Sequence, residues 1–167
     1  MGNGGSVVYM YPSKIRFTHD SIDSYFSDGH SIPETFRQIL WKKITADNLP
    51  LIEVMNYEGQ WFAVRGNRKL FLFKELEKRG ELSKVKVQKI VFDQYLFRTQ
   101  YTSSNKGKTT LIRDFRHYAM KQELDLIWSE YQCDKNESTI DTMYLVAVYV
   151  LALVVWVGLL HKFKPPY

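Results

Sequence analysis

The run Gly66-Asn67-Arg68-Lys69 holds the residue types best suited to chemistry in this chain. Glycine permits a tight turn, and the apolar residues that follow (Leu70, Phe73, Leu76) recur at helical spacing. The loop therefore opens a helix, whose first amides lack acceptors within it and carry partial positive charge. Arg68 and Lys69 add two full charges. Together these features make a cradle for phosphate groups. In the plainer reading, Asn67 only caps the helix, while Arg68 and Lys69 meet solvent or carboxylates.

Other reactive types are scattered. Lys106-Gly-Lys-Thr109 imitates the end of a P-loop, but Thr102 stands where the leading glycine belongs, so the run reads as a polar loop. His19, Asp20, His30 and His117 lack the spacing of metal ligands, and no metal site is expected. Cys133, the single cysteine, excludes a disulfide-stapled fold and a multi-thiolate zinc site within one chain. Met1-Gly2, with Ser6 four residues on, fits the N-myristoylation pattern and makes Gly2 a candidate acyl acceptor; a glycine-rich leader reads the same way. Asn136-Glu-Ser138 is a glycosylation sequon.

The elements that must position the Gly-Asn-Arg-Lys loop follow from periodicity. Residues 7–17 are rich in β-branched and aromatic residues and broken by Pro12, so they form one or two short strands. Ser31 and Glu34 form a capping box ahead of an amphipathic helix over 32–44. Residues 51–55 and 60–64 are strands around the turn Asn56-Tyr-Glu-Gly59, and the helix from Gly66 runs to Arg79 and stops at Gly80. Val85, Val87 and the run 90–92 make a further strand, residues 101–109 a polar loop, and residues 111–131 a long helix.

The chain has 167 residues, enough for one ordinary domain with an appendage. With 45% hydrophobic and 15% aromatic residues it is not intrinsically disordered. The formal net charge of +5 is unevenly placed: residues 84–116 carry eight basic and two acidic groups, whereas residues 117–142 carry two basic and six acidic ones. The basic centre suits phosphates, acidic lipids or an acidic partner protein.

One stretch is similar to the ParB/sulfiredoxin superfamily. It runs from Leu49-Pro-Leu-Ile-Glu-Val-Met55 through Gln60-Trp-Phe-Ala-Val-Arg-Gly-Asn-Arg-Lys-Leu70 to a helix, Gly80 and the strand at Lys84. In that family a Pro-Ile-x-Val motif opens a strand. A second strand then ends in Gly-x-Arg-Arg or Gly-Cys-His-Arg, where a helix starts. Ile15-Arg-Phe17 and Ser21-Ile-Asp23 resemble the first family strand and its turn. The resemblance covers about residues 7–92. It implies an α+β fold, a small mixed sheet with packed helices, and nucleotide phosphates (ATP or CTP) at Gly66, Asn67, Arg68 and Lys69. Asn67 stands in place of the sulfiredoxin cysteine, so reductase chemistry is not expected and no catalytic residue is assigned. With no family-type DNA-binding element after the domain, no DNA partner is expected either.

Residues 143–160 are 18 consecutive residues without charge. As a helix they span about 27 Å, close to a bilayer core of roughly 30 Å. The expectation is a single-pass transmembrane helix near the C-terminus, in the lipid bilayer, with a basic tail over 161–167. The resulting layout is a leader over 1–6, a domain over 7–92, a basic loop and connecting helix over 93–142, the span and the tail. A basic tail without an N-terminal signal favours a mitochondrial membrane. Two functions fit: a non-catalytic accessory subunit of a membrane protein complex, respiratory or ATP-synthase assemblies included, with other subunits as partners; or a membrane-tethered nucleotide-binding protein or phosphotransferase using the Gly-Asn-Arg-Lys loop. No cofactor is expected in the first, ATP or CTP in the second.

Overall fold

The computed structural model describes residues 5–113 and 117–162, with the side chains of all of these except 117 and 154–162. Gly2 and the tail beyond 162 lie outside the described residues. The chain forms two units, Met1–Ile127 and Trp128–Tyr167.

The first unit is α+β. Its elements are β1 (Val7–Met10), β2 (Ile15–Phe17), β3 (Ser21–Ile22), α1 (Ile32–Leu40), β4 (Ile52–Tyr57), β5 (Gln60–Arg65), α2 (Asn67–Lys78), β6 (Val85–Lys89), α3 (Gln94–Gln100) and β7 (Leu111–Ile112), then the start of α4 (His117–Lys162). Five strands make one mixed sheet in the order β1-β6-β4-β5-β2. The β4–β5 pair is antiparallel and central; β2 joins β5 in parallel, β6 joins β4 in parallel, and β1 closes the far edge antiparallel to β6. β3 and β7 form a separate parallel pair.

Local chemistry explains these elements. Pro12 lies in a 3-10 turn over Pro12–Lys14, so residues 7–17 split into two strands at opposite edges of the sheet. That turn is fixed to α2, because the amide and hydroxyl of Ser13 donate to the Glu77 carboxylate at 2.6 and 2.8 Å. Glu58 and Gly59 both have positive φ (49° and 74°), the handedness that lets a two-residue turn follow the strand twist. Ser31 Oγ accepts from the Glu34 amide at 3.2 Å, so α1 starts as its sequence indicates. The helix ends at Leu40, short of residue 44, because Lys42 adopts positive φ (57°). Ile15, Ile52, Val54, Leu70, Leu72 and Leu76 are sealed in the core. Arg79 lies over the Phe36 ring at 5.3 Å and bonds the carboxylates of Glu75 and Asp125, tying α2 to α4.

Two expectations over residues 90–131 are corrected. Residues 90–92 are not strand: β6 ends at Lys89, and Val91 and Phe92 are exposed. The chain instead turns into α3, where the Asp93 carboxylate accepts from the Leu96 amide at 2.9 Å. Residues 111–112 are strand rather than helix, and α4 begins at His117. Met120, Leu124 and Ile127 form its buried stripe in the first unit.

The transmembrane expectation is also corrected. Among the described residues no helix is long and apolar enough to cross a membrane. Of the expected span only residues 143–153 have described side chains, and they cover about 16 Å, half of a bilayer core. The rest of that run lies outside those residues. Ahead of it α4 carries Glu137 and Asp141. The single-pass anchor and the membrane localisation, mitochondrial included, are withdrawn.

Candidate functional site

β5 delivers the Gly-Asn-Arg-Lys loop to the start of α2. Gly66 has φ 91°, a left-handed conformation that L side chains rarely adopt. An added Cβ would also meet Ile52 Cγ1 at 3.3 Å. This turn brings the chain from strand to helix without an intervening loop. The Leu70 amide bonds Gly66 O at 2.9 Å, closing the first helical turn. The amides of Asn67, Arg68 and Lys69 are therefore left without an intrahelical acceptor.

The four loop residues have different tasks. Asn67 is buried, with all of its side-chain polar atoms engaged: Oδ1 accepts from the Thr18 amide at 3.0 Å, and Nδ2 donates to Thr18 Oγ1 at 2.9 Å and Ala63 O at 3.1 Å. Thr18 Oγ1 in turn donates to Ala63 O at 2.7 Å. Asn67 thus joins the ends of β2 and β5 to the first turn of α2. It is not the helix cap, which is Gly66. Lys69 Nζ donates to the carbonyls of Pro50 and Leu51, holding the segment that enters β4. Burial lowers the Lys69 pKa, opposed by the charge of Glu53. Arg68 is half-buried and has no ion-pair partner among the described residues.

Around this loop lies a cavity of about 370 Å³. Among the described residues its walls include His19, Phe26, Gln100 and four cationic side chains, Arg65, Arg68, Lys69 and Arg113, with one carboxylate, that of Asp23. Arg65 is paired with Glu53 at 3.2 Å, and His19 Nε2 lies 3.1 Å from Gln100 Oε1. Arg113 reaches the cavity because its amide bonds Ile22 O at 2.8 Å, which places it just past the β3–β7 pair. The cavity therefore combines fixed cations with free amides of a 12-residue helix, an arrangement suited to a multiply charged anion.

All four sequence-predicted residues line this cavity, but only Arg68 is free of a partner inside the fold. Reading by local sequence misses His19, Asp23, Phe26, Gln100 and Arg113. Their only advance signal is the charge excess over residues 84–116, which contains Arg113. The Lys106-Gly-Lys-Thr109 run plays no part in the cavity. The Gly107 carbonyl accepts from the Phe17 amide at 2.9 Å, so the loop covers the edge of β2, and a Cβ at Gly107 would meet Phe17 O at 2.2 Å. Cys133 is an exposed thiol in the second unit. Among the described residues no group of three or more His, Cys, Asp or Glu side chains could hold a metal. The chain matches no family model and no curated protein.

Proposed function

We propose that this chain is a non-catalytic binding module for a nucleoside polyphosphate, built on a ParB/sulfiredoxin-like domain. The observation that carries the reading is the cavity at the start of α2, lined by Arg65, Arg68, Lys69 and Arg113, with Arg65 paired to Glu53 and Lys69 bonded to the carbonyls of Pro50 and Leu51. Arg68 is the principal phosphate ligand in this reading, supported by Arg113 and the remaining N–H of Lys69. Phe26 and His19 provide flat surfaces for the nucleoside. A mixed sheet whose fifth strand ends in Gly-Asn-Arg-Lys and runs directly into a helix supports the family reading. Asn67 stands in place of the family cysteine and its side-chain amide is fully engaged, which argues against sulfiredoxin-type chemistry at this position.

A purely structural subunit is the second reading. It is favoured by the same two residues being occupied internally, Asn67 by Thr18 and Ala63, and Lys69 by the carbonyls of Pro50 and Leu51. Thermal unfolding of the full chain with ATP, CTP or GTP separates the two. A nucleotide at one hundred times its dissociation constant stabilises the chain by about 2.7 kcal/mol. An unchanged midpoint with all three selects the structural reading.

A further inference from the structure

A second cavity, of about 770 Å³, lies beside β5 and α3 and shares no residue with the first. Its floor is aromatic. Phe92, Tyr57 and Phe97 form a mutual cluster with centroid separations of 5.6, 4.7 and 5.8 Å, and Tyr101 stacks on Phe97 at 5.2 Å. Phe62 supports Phe97 and Tyr101 edge-on at 5.4 and 5.8 Å. Phe97 and Phe62 are buried, whereas Phe92 and Tyr57 are 43% and 38% exposed. Phe92 and Tyr57 therefore present ring surface to solvent at the cavity. Arg16, Arg98 and Lys106 stand at the rim, against the one carboxylate of Glu58. Arg16 is held there by a 3.4 Å bond to the Lys106 carbonyl, and its guanidinium lies 6.0 Å from the Phe62 centroid.

This arrangement is unusual for a site that recognises only charge or only apolar surface. Exposed aromatic ring surface accepts flat heterocycles, and cations at the rim accept the phosphates joining successive heterocycles. An aliphatic peptide would match the floor but leave the rim cations unanswered. An acidic peptide would do the reverse. We propose that this groove binds unpaired nucleotides of a single-stranded RNA, with bases stacked on the exposed ring surface of Phe92 and Tyr57 and phosphates on Arg98, Lys106 and Arg16. Most of the groove comes from the stretch of the chain with the greatest excess of basic over acidic residues. Recognition is by stacking and charge, with no hydrogen-bond code for sequence. The site is independent of the nucleotide cavity, so either can fail alone.

The test is fluorescence anisotropy of labelled oligouridylate and oligothymidylate with the full chain, titrated between about 50 and 200 mM salt. Binding should weaken with salt with a logarithmic slope of about −2, from three phosphate contacts at roughly −0.7 each. Arg98→Glu, at an exposed rim position, should lower affinity about tenfold or more and make the slope shallower. Phe92→Ser should lower affinity about tenfold while leaving the slope unchanged, and Phe92→Trp should restore it. Arg68→Glu should have no effect here. Oligouridylate should bind at least as tightly as oligothymidylate; clearly tighter binding of oligothymidylate overturns the assignment to RNA. No binding at the lowest salt overturns the proposal, as does a duplex binding as tightly as the single strand. So does an acidic peptide displacing the oligonucleotide as well as unlabelled oligonucleotide does, or a Phe92→Ser protein, folded by circular dichroism, that binds unchanged.

Discussion

Positive charge is held in two ways in the two cavities. At the start of α2, Arg68 and Arg113 stand beside backbone amides in a cavity with few rings, and the scaffold around them is polar: Asn67, Thr18 and the Ala63 carbonyl. Beside β5, Arg98 and Lys106 line a cavity with a cluster of aromatic rings, and the scaffold is the hydrophobic cluster of Met55, Phe62, Val64 and Phe97. The first arrangement concentrates charge at a point, as a polyphosphate requires. The second spreads it along a flat surface. The difference shows that counting basic residues says little about a ligand; what lies under the cations decides it.

The two scaffolds should respond differently to truncation. The largest effect is expected for Phe97→Ala, which empties the centre of the aromatic cluster and should cost about 3–5 kcal/mol in urea unfolding. Any folded remainder should retain the nucleotide-induced shift while losing the aromatic groove. A loss well below that range would show that α3 is not packed through Phe97. Asn67→Ala should cost about 1–3 kcal/mol, because it leaves the buried Thr18 amide without its acceptor. An unchanged unfolding midpoint would contradict the polar scaffold of the first cavity. Gly66→Ala should cost about 1–2 kcal/mol, since its φ of 91° is unfavourable for any residue with a Cβ. If stability and nucleotide response both survive that change, the tight strand-to-helix turn is not what places the amides. The smallest effect on stability is expected for Arg68→Gln, within about 0.5 kcal/mol, because no partner among the described residues is lost. A large destabilisation would mean that Arg68 serves the fold rather than a ligand.

The elements around the first cavity were the more legible ones in the sequence. Gly59, Gly66 and Gly80 punctuate β4, β5 and α2, and apolar residues recur at strand and helix spacing between them. Short elements were not legible. β7 has two residues and α3 seven, too few to establish a period, and the run Ile90-Val-Phe92 carries strand-like residue types at exposed positions. The apolar run after residue 142 similarly suggested a span that the described helix does not support. Within the site, the glycine and the cations were visible because they are adjacent in sequence. Their partners were not: Thr18 and Asn67 are 49 residues apart, and Arg113 reaches the cavity only because β7 pairs with β3. The aromatic cluster was hidden for the same reason, since Tyr57, Phe92, Phe97 and Tyr101 come from three segments that meet only in the folded chain.

The polyphosphate site at the start of α2 is tested most directly by isothermal titration of ATP, CTP and GTP into the full chain, wild type and Arg68→Glu, at matched ionic strength. Saturable binding of at least one nucleotide to the wild type, reduced about tenfold or more by Arg68→Glu without loss of folding, is the expected result. Absence of binding to the wild type, or binding that Arg68→Glu leaves unchanged, would contradict it.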